Sequence, residues 1–157
     1  MSILVRRAGR RDLKDIHGLW MRIRELEANA DSRLAPAKNA AQIASEHREV
    51  ILADPRTAFF VAEDHGAVCG FLHARIEQND PIYATERYGV IADLFVDEER
   101  RGDGIGTRLL NYCLEWFASH GLDSYRIDTP TELPLATRFF ERSGAVRLSS
   151  RLSAPVP

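Results

Sequence analysis

After residue 57 the apolar pattern changes from a helical period to a strand period, and this switch restricts the architecture more than any other feature. Before it lie two helical stretches. Within residues 11–28, Leu13, Ile16, Trp20 and Ile23 recur at spacings of three and four, which makes one apolar stripe. Residues 39–52 carry Ile43, His47, Val50 and Ile51 near one face, and Asp54-Pro55 ends that helix because the residue before proline avoids the helical region. After the switch, residues 57–63 and 68–76 are predicted strands joined by the hairpin turn Asp64-His65-Gly66-Ala67. Residues 87–96 form a third, whose mostly apolar middle fits a strand covered on both faces. Further strands are predicted at 2–7, 124–128 and 146–152. Helices are predicted at 107–120 and 135–143, closed by Gly121 and Gly144. The order β-α-α-β-β-β-loop-α-β-α-β implies a mixed α/β fold, with a central, mostly antiparallel twisted sheet and helices on both faces. At 157 residues the chain fits a single domain spanning 1–157.

The formal charge of −2 gives no electrostatic case for nucleic acid. No apolar run is long enough to cross a membrane and no signal peptide is evident, so a cytoplasmic protein is expected. Cys69 and Cys113 sit in apolar runs, as buried free thiols do, and their spacing makes neither a metal site nor a disulfide framework. Arg6, Arg7, Arg10 and Arg11 are the one dense basic cluster, expected to be a solvated edge.

The informative stretch follows the third strand: Arg101-Gly102-Asp103-Gly104-Ile105-Gly106, then Thr107 opening a helix. The first amides of a helix lack internal partners, and the helix dipole is positive there. Glycines let the backbone turn sharply and approach a ligand. Together they make a phosphate cradle, to which Arg101 can add a charge-assisted contact. Backbone N–H groups of residues 102–107 would do most of the binding, and the Asp103 side chain is expected to point to solvent. The loop lacks the G-K-[ST] of a P-loop and the spacing of the dinucleotide fingerprint.

Residues 91–110, with Asp97-Glu98-Glu99-Arg100-Arg101-Gly102-Asp103-Gly104-Ile105-Gly106 at their centre, resemble the acetyl-CoA-binding motif of the GNAT N-acetyltransferase superfamily. Ala136-Thr137-Arg138-Phe139-Phe140-Glu141-Arg142-Ser143-Gly144-Ala145 resembles that family's A-x-x-F-Y-E-x-x-G-F signature, and the element order matches over nearly the whole chain. The resemblance implies a GNAT-like fold that uses acetyl-CoA as cosubstrate, and no metal. It implies a bulge in the strand at 87–96, which diverges from the strand at 124–128. The pantetheine arm would lie in that gap and pair with the backbone of Leu94, Phe95 and Val96. The Leu94 N–H would meet the thioester carbonyl, an oxyanion-type contact. A primary amine of a small molecule or protein would attack the thioester directly.

The sequence departs from the pattern at several positions. Phe140 replaces the family's usual tyrosine acid; its ring would pack beside the pantetheine as a cofactor contact, and a thiolate with a pKa of about 8.5 can leave without an acid. The usual glutamate base falls at Ala92, and the asparagine of the last loop falls at Leu133. Asp93, one residue from Ala92, should face the other side of the sheet unless the bulge turns it, and a structural role is expected for it. The base is therefore open. Glu25, Glu27, Asp31, Glu77, Asp80 and Tyr83 are candidates to bind a cationic acceptor, and His73 fits a sheet histidine better than a base. The family closes with two strands after its last helix, where only 146–152 is evident here. The tail or a partner subunit would complete the sheet, and a homodimer is expected. An intact cofactor motif without the usual proton-transfer residues leaves a second function open, a non-catalytic acyl-CoA-binding or sensing module.

Overall fold

The strand period of residues 57–96 becomes three adjacent antiparallel strands, β2 (Thr57–Asp64), β3 (Ala67–Gln78) and β4 (Arg87–Val96). These belong to a computed structural model that describes residues 2–157. The strand β1 (Ile3–Arg7) joins β2 antiparallel, and β5 (Tyr125–Ile127) joins β4 parallel, giving the sheet order β1-β2-β3-β4-β5. The helices are α1 (Leu13–Ala30), α2 (Ala40–Ala53), α3 (Ile105–Ser119) and α4 (Pro134–Arg142).

Alternation along the strands sends successive side chains to opposite faces. Phe59, Val61, Phe71 and Phe95 meet Ile16 and Leu19 of α1. Phe60, Leu72 and Ala74 meet Leu109, Leu110, Cys113 and Phe117 of α3. Burying each large side chain of this kind contributes about 1.5–3 kcal/mol. The alternation breaks twice. Ala62 pairs with Gly70 but Glu63 with Val68, so Cys69 is an extra residue in β3. His73 pairs with Asp93 but Ala74 pairs with Ile91, so Ala92 is an extra residue in β4. Counting back from Phe95 would place Ile91 on the α1 face, and the bulge moves it into the α3-side core instead.

Three expectations need correction. No strand forms over residues 146–152, where Val146, Leu148 and Leu152 are 86%, 73% and 92% exposed. The adjacent edge strand, β5, is three residues long and gives the tail almost nothing to pair with. Arg6 is not part of a solvated edge. It donates two hydrogen bonds of 2.8 Å to the buried Asp12 and one of 2.7 Å to Glu63, and these hold the Asp12 carboxyl below the usual carboxylate range. The helix predicted at 107–120 begins two residues earlier, so Ile105 and Gly106 belong to its first turn. Cys69 and Cys113 are buried free thiols.

Candidate functional site

The glycine loop takes the conformation that only its glycines favour. Gly102 has φ +90° and Gly104, the N-cap of α3, has φ +75°. The first helical bond of α3 runs from the Arg108 N–H to the Gly104 carbonyl at 3.1 Å, so the amides of Ile105, Gly106 and Thr107 precede it without intrahelical partners. Arg101 is folded against the end of β4. Its guanidinium lies 5.4 Å from the Phe95 ring centroid, and its Nε donates to the Val96 carbonyl at 3.2 Å. Asp103 faces Arg100 at 3.7 Å, and Arg100 is also paired with Asp64.

Beside this loop the sheet opens. Pairing between β4 and β5 stops at Ile91 and Ile127, while β4 runs on to Val96. The Asp97 N–H donates to the Cys69 carbonyl at 2.8 Å, which points the backbone of odd-numbered residues here toward β3. The backbones of Leu94 and Val96 therefore face the gap. Phe95, expected to share in pairing along the gap, is turned to Phe71 of β3. On the α3 side, Phe139 lines a groove of about 320 Å³ with Leu110, Asn111, Leu114 and Arg142. Phe140 is buried in the α3-side core, edge-on to Phe139 at 5.0 Å. Sequence reasoning gave Phe139 no role, although it abuts Gly106, where a Cβ would meet its ring at 3.4 Å.

On the opposite face, between α1, α2 and the sheet, lies a cavity of about 490 Å³. Trp20, Arg24, Arg48, Phe59, His73 and Asp93 line its polar end. Ala92 on the bulge and Asp128 just after β5 line it too, so the cavity opens on the gap. The bulge sets both Ala92 and Asp93 on this cavity, in contrast to the opposite facing that simple alternation implies. Arg24 pairs with Asp93 and lies 3.4 Å from Glu27. Burial nevertheless outweighs Arg24 and pushes the Asp93 carboxyl up to about 6. His73 stacks on Phe59 at 4.3 Å, with its Nδ1 4.0 Å from Asp93. Burial, aided by Arg75 and Arg48, lowers His73 to about 4, so it is neutral at neutral pH. The His73 Nε2 and Arg24 Nε are buried without hydrogen-bond partners. Buried polar atoms of this kind call for a ligand or water.

A raised carboxyl binds its proton more tightly folded than unfolded, so Asp93 makes the protein more stable as pH falls through about 6. Asp12, Asp64 and Asp97 have lowered values, and their contribution is lost only below the ordinary carboxylate range. Denaturant unfolding at about pH 7 and about pH 5 should therefore show the wild type gaining about 1 kcal/mol relative to Asp93→Asn. An identical pH dependence in the two proteins would contradict the raised value.

The other charged candidates lie elsewhere. Asp31 binds Arg33 at 2.7 Å and caps the turn Ser32–Leu34. Glu77 pairs with Arg75, Asp80 accepts the Ile82 N–H at 3.1 Å, and Tyr83 and Glu25 are exposed. None of Glu25, Glu27, Asp31, Glu77, Asp80 or Tyr83 lines the cavity. Arg24 and Arg48 were missed. The one available sequence signal was Arg24 standing four residues after Trp20 on the same helix face. Among the described residues no cluster of three His, Cys, Asp or Glu could hold a metal, and no helix is long and apolar enough to cross a membrane.

The site thus combines a five-stranded mixed sheet, a helix N-terminus behind a glycine turn and a strand edge left open beside it. The model of the acetyltransferase (GNAT) family matches residues 20–145, and the chain belongs to that family. No curated protein matches it in sequence. Among solved structures, a tetramutant of the BH1408 protein from Bacillus halodurans is similar with a TM-score of 0.86 and 17% identity, covering 98% of this chain and 99% of that one. A predicted acetyltransferase with acetyl-CoA from Clostridium acetobutylicum gives 0.81 and 16%, covering 98% and 96%. The aminoglycoside N-acetyltransferase AAC(6')-Iy with a bisubstrate analog gives 0.77 and 17%, covering 100% and 99%. At these identities the likeness is one of fold.

Proposed function

We propose that the chain is an N-acetyltransferase that moves the acetyl group of acetyl-CoA to a primary amine of a small molecule or protein by direct attack on the thioester. The observation that carries this reading is the junction at β4. Its edge loses β5 after Ile91, presents Leu94 and Val96 to the gap, and at the same bulge borders a polar-ended cavity on the other face. Residues 101–107 supply the open amides and the charge for the pyrophosphate of coenzyme A. The backbone of Leu94 and Val96 supplies strand-like pairing for the pantetheine arm. The Leu94 N–H donates to the thioester oxygen and stabilises the charge that develops there. The amine enters from the cavity. Its nitrogen bonds to the acetyl carbon, the carbon–sulfur bond breaks, Asp93 accepts the proton the nitrogen gives up, and the thiolate departs.

Asp93 suits that role because it is mostly ionised at neutral pH yet closer in pKa to an amine than a solvated carboxylate is. By motif register Phe140 stands where the family has a tyrosine acid, and it has no proton to give. Phe140→Tyr is expected to raise turnover by at most about 100-fold, and to leave acetyl-CoA affinity unchanged, because the thiolate is already a good leaving group. Steady-state release of free thiol measures this. An unchanged rate, with the new hydroxyl in reach of the sulfur, would show that thiolate departure does not limit the reaction.

The direct test is thiol release from acetyl-CoA with a panel of amines, with the acetylated product identified by mass spectrometry. Amine-dependent release supports the enzyme. Saturable acetyl-CoA binding with no amine-dependent release supports the sensing module instead. Free buried thiols at Cys69 and Cys113 fit a reducing compartment, and the cytoplasm is the location proposed. A homodimer is proposed on the exposed Val146, Leu148, Leu152 and Val156 of the tail, and light scattering reads it directly.

A further inference from the structure

The cavity beside Asp93 has an uneven charge balance. Of the carboxylates that line it, Asp93 is held by Arg24, and Asp128 is held at its exposed rim by Arg151 at 3.1 Å. Of the guanidiniums, Arg24 has Asp93 and Glu27, and Arg75 has Glu77. Arg48 stands apart. It is 5% exposed, and among the described residues it makes no ion pair. Its contacts are one hydrogen bond with the His17 Nδ1 and the face of Trp20, 4.8 Å from guanidinium carbon to ring centroid. An imidazole nitrogen and a ring satisfy little of a group with five N–H donors. The charge of Asp93 reaches Arg48 without direct contact, and a buried cation with no paired carboxylate is costly and marks a candidate ligand site. Apart from His47, the remaining walls, from Trp20, Ile43, Ile51, Phe59 and Val90 among others, are apolar.

The geometry points to an acceptor that is a small amine carrying its own anionic group: the carboxylate or phosphate pairs with Arg48, the amine lies toward Asp93, and an apolar body fills the space between. This assignment rests on the acetyltransferase reading for its chemistry, but not for its binding contacts. A guanidinium fork matches either oxyanion bidentately. A cavity of about 490 Å³ holds an apolar α-amino acid with room to spare. A polycationic amine would bring further positive charge against Arg48 and Arg24. The acceptor class thus differs from the aminoglycoside chemistry carried by the AAC(6')-Iy neighbour.

The experiment compares matched amines with saturating acetyl-CoA: leucine against leucinamide, 2-aminoethyl phosphate against ethanolamine, and spermidine as the polycation. The anionic member of a pair is expected to exceed its neutral partner by about 100-fold in kcat/KM. The preference would run against simple nucleophilicity, because the amide holds more free amine at neutral pH. Which pair shows the larger ratio separates carboxylate from phosphate. Equal rates within both pairs, or spermidine as the best acceptor, would overturn the assignment. Arg48→Met should collapse the ratio to a few-fold through a rise in KM for the anionic member. If that variant does not fold, Arg48→Lys keeps the charge, loses the fork and should cut the ratio by about 10-fold. An unchanged ratio in a folded variant would count against Arg48. Absence of turnover with every amine would strike the acetyltransferase reading alone. Calorimetry on the protein loaded with coenzyme A then decides the anion site. Saturable binding of leucine or 2-aminoethyl phosphate, but not of its neutral partner, upholds it; equal or absent binding of both overturns it.

Discussion

Asp93→Asn is expected to lower kcat by about 10²–10⁴-fold, with acetyl-CoA affinity close to the wild type. Asparagine is nearly isosteric and can still accept a hydrogen bond from Arg24, so the packing of α1 against β4 should survive. It cannot take a proton from the attacking amine. The wild-type rate should rise with pH through about 6, the value to which burial pushes this carboxyl, and Asp93→Asn should lose that limb. His73 cannot supply the same limb, because burial holds it at about 4. An amine with a low pKa is already deprotonated and should suffer least in the variant. The readout is a pH–rate profile of both proteins with the best acceptor. A variant that keeps the wild-type rate and profile would remove Asp93 from the chemistry and leave it as the structural partner of Arg24.

Gly104→Val is expected to weaken acetyl-CoA binding by at least about 100-fold. Gly104 holds φ +75° as the N-cap of α3, a conformation costing about 1–2 kcal/mol for an L-residue and more for a β-branched one. A Cβ there meets nothing within 4 Å in the protein itself, so the added side chain would project into open space above the helix amides. That space is where the proposed pyrophosphate contacts lie. The fold should tolerate the change better than the ligand does, and calorimetry with thermal unfolding separates the two. Equal affinity in a folded variant would sink the loop assignment.

The parts of the fold that were legible in the sequence are those set by local chemistry. Residues 87–96 form the strand that their apolar run predicts, and Gly102 and Gly104 sit at positive φ in the turn that opens α3. Asp54-Pro55 closes α2 where proline chemistry says it should. The strand expected at 146–152 failed because alternation in a sequence specifies a strand only where an edge exists to receive it, and β5 provides three residues. Arg6 looked like one member of a charged run because nothing local reveals that Asp12 folds back under it and Glu63 arrives from β2.

The polar end of the cavity was hidden for a related reason. Arg24 comes from α1, Arg48 from α2, His73 from β3 and Asp93 from β4, so their meeting is a product of tertiary packing and no spacing announces it. Asp93 was further obscured by the bulge. Ordinary alternation would set it opposite Ala92, and one extra residue in β4 puts both beside the same cavity. The family's glutamate position being alanine drew attention to what was missing at residue 92, while the carboxylate stood at the next residue.

The central claim is that acetyl-CoA lies in the gap between β4 and β5 with its thioester open to the cavity at Asp93. A crystal structure of the protein with acetyl-CoA tests it directly. The account predicts the pyrophosphate on the amides of residues 102–107, the thioester oxygen within hydrogen-bond reach of the Leu94 N–H, and the acetyl carbon accessible from the side of Asp93. A cofactor bound outside the gap, or a thioester screened from the cavity by protein, would contradict it.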